Sequence, residues 1–268
     1  MPKNTGPQIW QAHFLDRSPM MAPLRRVGAH LCGAAWPSLE ALQPSIPIAT
    51  LSGKTLRFVP QGAKPACFAE QYEPRIHLRG EVQTRTENWH DLFNALAWLA
   101  FPRAKATITD RHYQAAITQV AGQNRHPDRH ALTLFDESGV AVACADPDLA
   151  RLLRDFQWRE LFWTRREAVR RSMKFFVFGH SLYEKSLAPY VGLSGHGLVL
   201  EVDAAFLAAA PQVQLADLDG LLAARLGEPA FLRYTPVPLL GVPDWWADNQ
   251  AASFYDNSAY FRAKRAAR

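Results

Sequence analysis

The stretch Asn88-Trp-His-Asp-Leu-Phe-Asn-Ala-Leu-Ala-Trp-Leu-Ala-Phe-Pro102 decides the fold, because it carries the strongest helix signal in the chain. Asn88 is a favoured N-cap residue, and Asp91 stands three positions on, as in a capping box. Pro102 ends the helix, since the residue before a proline disfavours helical dihedral angles. The pattern predicts a helix over residues 88–101 with one apolar, core-facing side. The apolar positions at helical spacing are Trp89, Leu92, Phe93, Leu96, Leu99 and Ala100.

The polar residues of this helix are the first candidate site. His90 and Asn94 are four positions apart, and Asp91 and Asn94 are three apart, so all three share the face opposite the apolar side. An imidazole beside a carboxylate is typical of an oriented general base or of a supported metal ligand. We predict that His90, Asp91 and Asn94 are catalytic residues. The alternative is structural, with Asp91 as a helix cap and the other two solvated.

A second candidate pair is His180 and Glu184, which stand four positions apart. On a helix this spacing lets the carboxylate orient the imidazole, so both are predicted to be catalytic. The alternative is a histidine packed under the Gly179 backbone, with Glu184 in solvent. His196, between Gly195 and Gly197, is predicted to lie on a flexible loop.

A divalent metal is a third possibility, since zinc needs three or four converging nitrogen, sulfur or oxygen ligands. The sequence offers ligands without the HExxH or CxxC spacing that would select among them, so the metal stays open. The candidate ligands are His90, Asp91, His112, His180 and His196. Motifs of nucleotide-binding proteins are absent, namely GxxxxGK[ST] and GxGxxG, which excludes P-loop NTPases and standard nicotinamide enzymes. GxSxG, the nucleophile elbow of serine hydrolases, is also absent.

Basic and aromatic residues alternate between Arg151 and Arg171, a mixture that can bind single-stranded nucleic acid. Acidic residues interrupt the same segment, which is equally typical of a salt-bridged surface helix. The net charge of +5 is short of the dense basic footprint of a DNA-binding protein. RNA therefore stays an alternative partner, and DNA is not expected.

The composition is that of an ordinary globular protein, because 48% of the 268 residues are hydrophobic and 21% are charged. No apolar run approaches the roughly 20 residues that span a bilayer, and Met1–Thr5 lacks the apolar stretch of a secretory signal. Cys32, Cys67 and Cys144 are odd in number and far apart, so we expect reduced, mostly buried thiols and a cytoplasmic location.

We predict an α+β fold in one helix-rich domain, residues 1–268, with a β-hairpin and a small mixed or antiparallel sheet. Residues 1–50 are expected to form an irregular N-terminal segment packing on it, and residues 257–268 a basic tail. The hairpin is predicted from two apolar runs, 131–135 and 140–144, around a turn at 136–139. Extended chain is predicted at 56–59, 75–85, 198–202 and 231–240, and helices at 110–120, 146–156, 158–178 and 217–226.

The segment that begins at Asn88 resembles the signature N-W-H-D-L-F-N-A-L-x-W-L-x-F-P-x-x-K of a proteobacterial family, domain of unknown function 3025 (DUF3025). Further stretches are similar to the same family: 72–76, 129–137, 178–190, 241–245 and 254–256. The resemblance implies a bacterial protein and brings no function. It implies that the polar members of these motifs form one site, which adds substrate-binding candidates. These are Arg75, Trp89, Lys105 and Lys185.

The leading prediction is a small intracellular enzyme, a hydrolase or transferase, that acts on a small-molecule or anionic substrate. We expect its site residues to face one cavity, and these are His90, Asp91, Asn94, Lys105 and His180. The alternatives are an RNA-binding or RNA-processing accessory protein and a non-catalytic ligand-binding protein. A concave pocket favours the enzyme, whereas a convex basic stripe favours RNA.

Overall fold

A computed structural model describes residues 8–118, 127–228 and 233–264, and its architecture is α+β and rich in helix, as predicted. The segments Met1–Thr5, 119–120, 231–232 and 265–268, on which parts of the predictions fall, lie outside the described residues. The helices are α1 (Arg25–Gly28), α2 (Tyr72–Arg79), α3 (Trp89–Ala100), α4 (Pro102–Thr118), α5 (Pro127–Ser138), α6 (Pro147–Arg154), α7 (Arg166–Ser172), α8 (His180–Lys185), α9 (Ala204–Ala208) and α10 (Pro211–Gly227).

The strands form two sheets in the described part of the chain. They are β1 (Arg57–Pro60), β2 (Glu81–Thr84), β3 (Gly139–Cys144), β4 (Met173–Val177), β5 (Ser194–Glu201) and β6 (Thr235–Pro238). The larger sheet has the order β4-β3-β5-β6 and is mixed, because β3 pairs with β5 in parallel while the outer pairs are antiparallel. In the smaller sheet β1 and β2 are parallel. Every residue of β3 is buried, as expected for a central strand made only of apolar residues and glycine.

The helix α3 forms where its periodicity predicts it. The Asn88 side chain caps it by accepting a hydrogen bond from the Asp91 backbone N–H at 3.0 Å. The helix ends at Ala100, and α4 begins at once with Pro102 in its first turn, rather than near residue 110 as predicted. A proline is tolerated there because the first helical N–H groups have no partner within the helix.

The N-terminal residues close one side of α3 with aromatic rings. Trp89 stacks on Trp10 with ring centroids 5.1 Å apart, and Trp36 lies 4.7 Å from Trp89. Phe14 and Phe93 complete this aromatic cluster. Residues 8–50 consist mainly of short 3-10 helices and turns, so it is their side chains, more than regular backbone, that attach them to α3.

The predicted β-hairpin at 131–144 is wrong, because residues 127–138 form α5 and only the second arm, β3, is a strand. Leu132 and Phe135 are three positions apart and fully buried, so tertiary packing selects the helical period for this short apolar run. The extended segment predicted at 75–85 is also corrected. Residues up to Arg79 belong to α2, and Gly80, with φ of 72°, ends that helix before β2 begins.

The helix predicted at 158–178 is shorter than expected, since Met173–Val177 is β4. His196 lies within β5 and not on a loop. In the predicted tail, Tyr260 and Phe261 are buried in the hydrophobic core, so the chain is packed at least as far as these two residues. The other predicted elements lie at or within a few residues of β1, α6, β5, α10 and β6.

Helices long and apolar enough to cross a bilayer are absent from the part of the chain that the structure describes. The three cysteines are unpaired, as predicted. Cys144 is buried and Cys32 half-buried, whereas Cys67 is exposed, contrary to the expectation that most would be buried.

Candidate functional site

A half-open cavity of about 310 Å³ lies between α2, α3, α4, α5 and the first residue of α8. This volume is at the lower end of the range for small-molecule sites. The cavity wall includes all five residues expected to share one cavity, and these are His90, Asp91, Asn94, Lys105 and His180.

Close backbone contact brings α8 to the end of α5. A Cβ atom on Gly179 would lie 2.4 Å from the Ser138 nitrogen and 2.5 Å from the Glu137 carbonyl oxygen, so only glycine fits there. His180 follows directly as the first residue of α8 and is 4% exposed. The contact therefore sets the buried imidazole beside the side chains at the end of α5.

Two histidines converge on one carboxylate at the centre of the wall. The Nε2 atoms of His90 and His180 each lie 3.6 Å from Oε2 of Glu137. Their rings are 4.5 Å apart and nearly perpendicular. The Ser181 hydroxyl donates a hydrogen bond to the same Glu137 oxygen. We call His90, Glu137 and His180 the His–Glu–His cluster.

Arg85 holds Asp91 against His90. The guanidinium Nε of Arg85 donates to Oδ2 of Asp91 at 2.9 Å, and its Nη2 donates to Oδ1 at 2.7 Å. The Arg85 backbone N–H also donates to Oδ2, at 2.8 Å. The capping-box expectation for Asp91 is thereby corrected, because its carboxylate accepts from Arg85. Burial raises the pKa of Asp91, but hydrogen bonds from Arg85 and His90 outweigh it and hold this pKa well below its usual range. The carboxylate is therefore ionised at neutral pH.

His90 is positioned between two carboxylates. Its Nδ1 lies 3.2 Å from Oδ1 of Asp91, and its Nε2 faces Glu137. The hydrogen bond with Asp91 and then the nearby Glu137 carboxylate raise the pKa of His90 to about 9, against the opposing effect of burial. Burial raises the pKa of Glu137, but the nearby rings of His180 and His90 outweigh it and lower this pKa well below its usual range.

A second polar chain crosses the cavity floor. Lys105, 3% exposed, donates to Oδ1 of Asp136 at 2.6 Å and to Oδ1 of Asn94 at 2.8 Å. Nδ2 of Asn94 in turn donates to the Tyr72 hydroxyl at 2.7 Å. Burial raises the pKa of Asp136, but the Lys105 charge outweighs it and lowers this pKa. Lys105 and Asp136 are thus an ion pair with little access to water.

Among the described residues that line the cavity, three buried polar atoms lack a hydrogen-bond partner: Nδ1 of His112, Nε1 of Trp98 and Nδ1 of His180. Burial lowers the pKa of His112, so its ring is neutral near pH 7. Buried polar groups in proteins are nearly always hydrogen-bonded. A polar occupant of the cavity would supply hydrogen-bond partners for such atoms.

We expect Asp91→Asn to lower the His90 pKa from about 9 toward the ordinary value near 6.5, because the charge that favours the imidazolium is removed. In the parent protein the raised pKa of His90 adds stability that is fully present below pH ~6.5 and is lost as the pH rises through ~9. NMR titration of the His90 ring in chelator-treated protein, beside thermal melts from pH 6 to 10, measures both effects. An unchanged His90 pKa would leave Asp91 with a purely structural role.

Four of the predicted catalytic and substrate-binding residues lie outside the cavity wall. Trp89 belongs to the aromatic cluster, because its ring is buried on the other side of α3. Arg75 points to Glu81, 3.5 Å away. Glu184 and Lys185, at the end of α8, are half-buried outside the cavity wall. The predicted pairing of Glu184 with His180 is wrong, since within the described ranges the carboxylates that face His180 are Asp136 and Glu137.

The five proposed metal ligands also separate. His90 and His180 belong to the His–Glu–His cluster, Asp91 lies behind His90, and His112 lines another part of the cavity. His196 is on β5 outside the cavity wall, where burial lowers its pKa.

Sequence reasoning missed Asp136 and Glu137, which it had placed in the turn of the wrong hairpin. On α5 their side chains instead point to Lys105 and to the two histidines. The usable signal was the family-like run 129–137, which ends on this acidic pair. Arg85, which donates hydrogen bonds to Asp91, was also missed, because the sequence around Arg85 contains no motif that indicates a functional residue.

The arginine-rich segment 151–171 is largely paired within the protein. Arg166 is buried and donates to Asn249, and Arg170 donates to both oxygens of Asp244 at 3.0 and 2.7 Å. The aromatic rings Trp158 and Phe162 are buried. These rings are therefore not available as a surface on which bases stack.

Comparison with protein families gives one finding. The sequence profile of the family described as "Protein of unknown function (DUF3025)" matches residues 56–265. That range includes the whole His–Glu–His cluster and most of the cavity, while the aromatic side chains Trp10, Phe14 and Trp36 precede it. Neither a curated protein nor a solved structure matches the chain. Because the profile covers most of its length, the chain belongs to the DUF3025 family.

Proposed function

We propose that this protein is a small enzyme, a hydrolase or transferase, whose active site is the cavity between α3, α4 and α5. The observation that carries the proposal is the convergence of His90 and His180 on one Glu137 oxygen at the cavity wall. Shifted pKa values in a concave site, here those of His90 and Glu137, are typical of functional residues.

The arrangement supports activation of a hydroxyl nucleophile. A water molecule, or the hydroxyl of a second substrate in a transferase, would sit where the three side chains face each other. The His90 ring, protonated below about pH 9, orients the nucleophile by donating a hydrogen bond, and His180 and the Glu137 carboxylate are the groups that take up its proton. For the reaction to proceed, the site must also stabilise the negative charge that develops on the substrate in the transition state.

Substrate binding falls to the polar chain on the cavity floor. The Lys105 ammonium is the fixed positive charge of this chain. Hydrogen bonds from Lys105 to Asn94 and from Asn94 to Tyr72 continue the chain toward solvent. The unpartnered nitrogens of His112 and Trp98 add two further contacts. We propose a small polar substrate, because a cavity of about 310 Å³ lined by these hydrogen-bonding groups favours it, while the Lys105 charge is already balanced by Asp136.

The RNA-binding alternative has weaker support. Arg166 and Arg170 of segment 151–171 pair with Asn249 and Asp244, and the rings of Trp158 and Phe162 are buried. For the compartment, we propose the cytoplasm on the strength of three unpaired cysteines.

The proposal is tested by assaying Glu137→Gln and His180→Asn beside the parent protein on panels of small esters, amides and phosphoesters. Loss of one acid–base group lowers rates by about 10²- to 10⁴-fold, so we expect kcat/KM to fall by at least about 100-fold in each variant. His130→Asn is the matched control, because His130 lies on α5 but is exposed. Turnover that persists in both cavity variants would contradict an active site here.

A further inference from the structure

We propose that the His–Glu–His cluster binds a zinc ion through Nε2 of His90, Nε2 of His180 and a carboxylate oxygen of Glu137. One ligand atom from each residue lies within 4.8 Å of the other two. The inference deepens the proposed function, since it names the cofactor of the same site. Zinc binding is measured without any substrate, however, so the zinc site and the enzymatic activity are tested independently of each other.

The separations between the ligand atoms fit a metal better than a direct hydrogen bond. With bonds of about 2.0–2.1 Å at tetrahedral angles, two zinc ligands stand about 3.4 Å apart. Both histidine nitrogens lie 3.6 Å from the same Glu137 oxygen. A hydrogen bond between nitrogen and oxygen would be about 2.7–3.2 Å long. The three atoms therefore surround a point that small side-chain movements bring to coordination distance.

The groups behind the ligands favour the orientation that metal binding needs. Metal-binding histidines usually direct their other nitrogen at a carboxylate or carbonyl. Nδ1 of His90 lies 3.2 Å from Asp91, whereas Nδ1 of His180 is directed toward Asp136 at 3.9 Å without a hydrogen bond. Both histidines thus present Nε2 to the cluster. The hydrogen bond from Ser181 fixes Glu137 in the same way.

Asp91 is one of the groups behind the ligands and is not itself a zinc ligand. Both of its oxygens accept hydrogen bonds from the Arg85 guanidinium, at 2.7 and 2.9 Å. Asp136 is similarly held by Lys105. The outer carboxylates thus carry their own counter-ions, whereas Glu137 has no lysine or arginine partner among the described residues and faces the two histidines.

The ligand set selects zinc among the divalent metals suited to hydrolysis. Two imidazoles, one carboxylate and an open position are a recurring catalytic zinc set. Here the open side faces the cavity, because His90, Glu137 and His180 all line it. Zinc in such a site lowers the pKa of a bound water to about 7, which makes hydroxide available at neutral pH. Ferrous iron also binds two histidines and a carboxylate, so the experiment includes it.

The test begins with chelator-treated full-length protein, to which zinc is added during isothermal titration calorimetry. Metal content after dialysis is then measured by plasma mass spectrometry. We expect about one zinc per chain and a visible absorption spectrum of tetrahedral cobalt when Co²⁺ replaces zinc. His90→Ala and Glu137→Gln should each weaken zinc binding by at least about 100-fold, and Asp91→Asn by about 10- to 100-fold.

Two exposed residues provide matched controls, and we expect His130→Asn on α5 and Glu201→Gln on β5 to bind zinc like the parent. Circular dichroism checks the fold, and the half-buried His90 is the histidine ligand whose loss disturbs packing less, since His180 is buried. Unaltered zinc affinity in His90→Ala and Glu137→Gln, no zinc binding by the parent, or stoichiometric iron in place of zinc would each overturn the assignment. Hydrolysis that continues in zinc-free protein would leave the enzyme proposal standing without the metal.

Discussion

Lys105→Ala should lower the free energy of unfolding by about 3–5 kcal/mol, the range for breaking a buried ion pair by removing one partner. The Lys105 side chain is 4% exposed and that of Asp136 20% exposed, so water replaces little of the lost contact. The variant leaves the Asp136 carboxylate without its counter-ion and Asn94 without a donor. Urea denaturation at pH 7 measures the loss.

The double variant Lys105→Met with Asp136→Asn is the control, because it removes both charges and keeps the side-chain volumes similar. We expect it to recover most of the lost stability, which a double-mutant cycle expresses as a coupling energy. The loss in Lys105→Ala should also shrink as the pH falls toward about 4, since an unpaired Asp136 becomes neutral by protonation. A loss below about 1 kcal/mol at pH 7 would show that water solvates Asp136.

Trp89→Ala should also destabilise the protein by about 3–5 kcal/mol, as truncations of large buried aromatic residues do. Trp89 is 5% exposed and contacts four other rings of the aromatic cluster. Three of these rings, Trp10, Phe14 and Trp36, belong to the N-terminal residues, which therefore lose a major aromatic contact with α3. Thermal and urea denaturation measure the effect.

Trp89→Phe separates volume from stacking, because phenylalanine keeps an aromatic ring in the cluster. We expect a smaller loss of stability than for alanine, and wild-type zinc binding in both variants at temperatures where they are folded. The second expectation follows from the position of Trp89 on the side of α3 away from the cavity wall. A cost of less than about 1 kcal/mol for Trp89→Ala would contradict its place in the core.

Local sequence determined the helix that organises the site. The spacing of Leu92, Phe93 and Leu96, the cap at Asn88 and the stop before Pro102 all act within one helix. Such signals are local, so they are readable without knowledge of the fold. The same periodicity put His90, Asp91 and Asn94 on one side of α3, and that side does face the cavity.

Local sequence did not determine α5. In residues 131–138 the apolar positions fit the helical period as well as the alternation of a strand. Such a short run does not distinguish helix from strand. Burial of Leu132 and Phe135 against the core selects the helix. That choice places Asp136 and Glu137 on the cavity wall, and without it the carboxylates of the site are not found.

The sequence by itself determined an α+β protein with a histidine-bearing helix at its centre. Only the tertiary structure decided that Glu137, rather than Glu184, faces His180 and His90. The physical reason is sequence distance. The cluster joins residues of α3, α5 and α8 through packing contacts such as the approach of Gly179 to Glu137. Contacts between segments that are far apart in the chain produce no periodic pattern within the sequence of either segment.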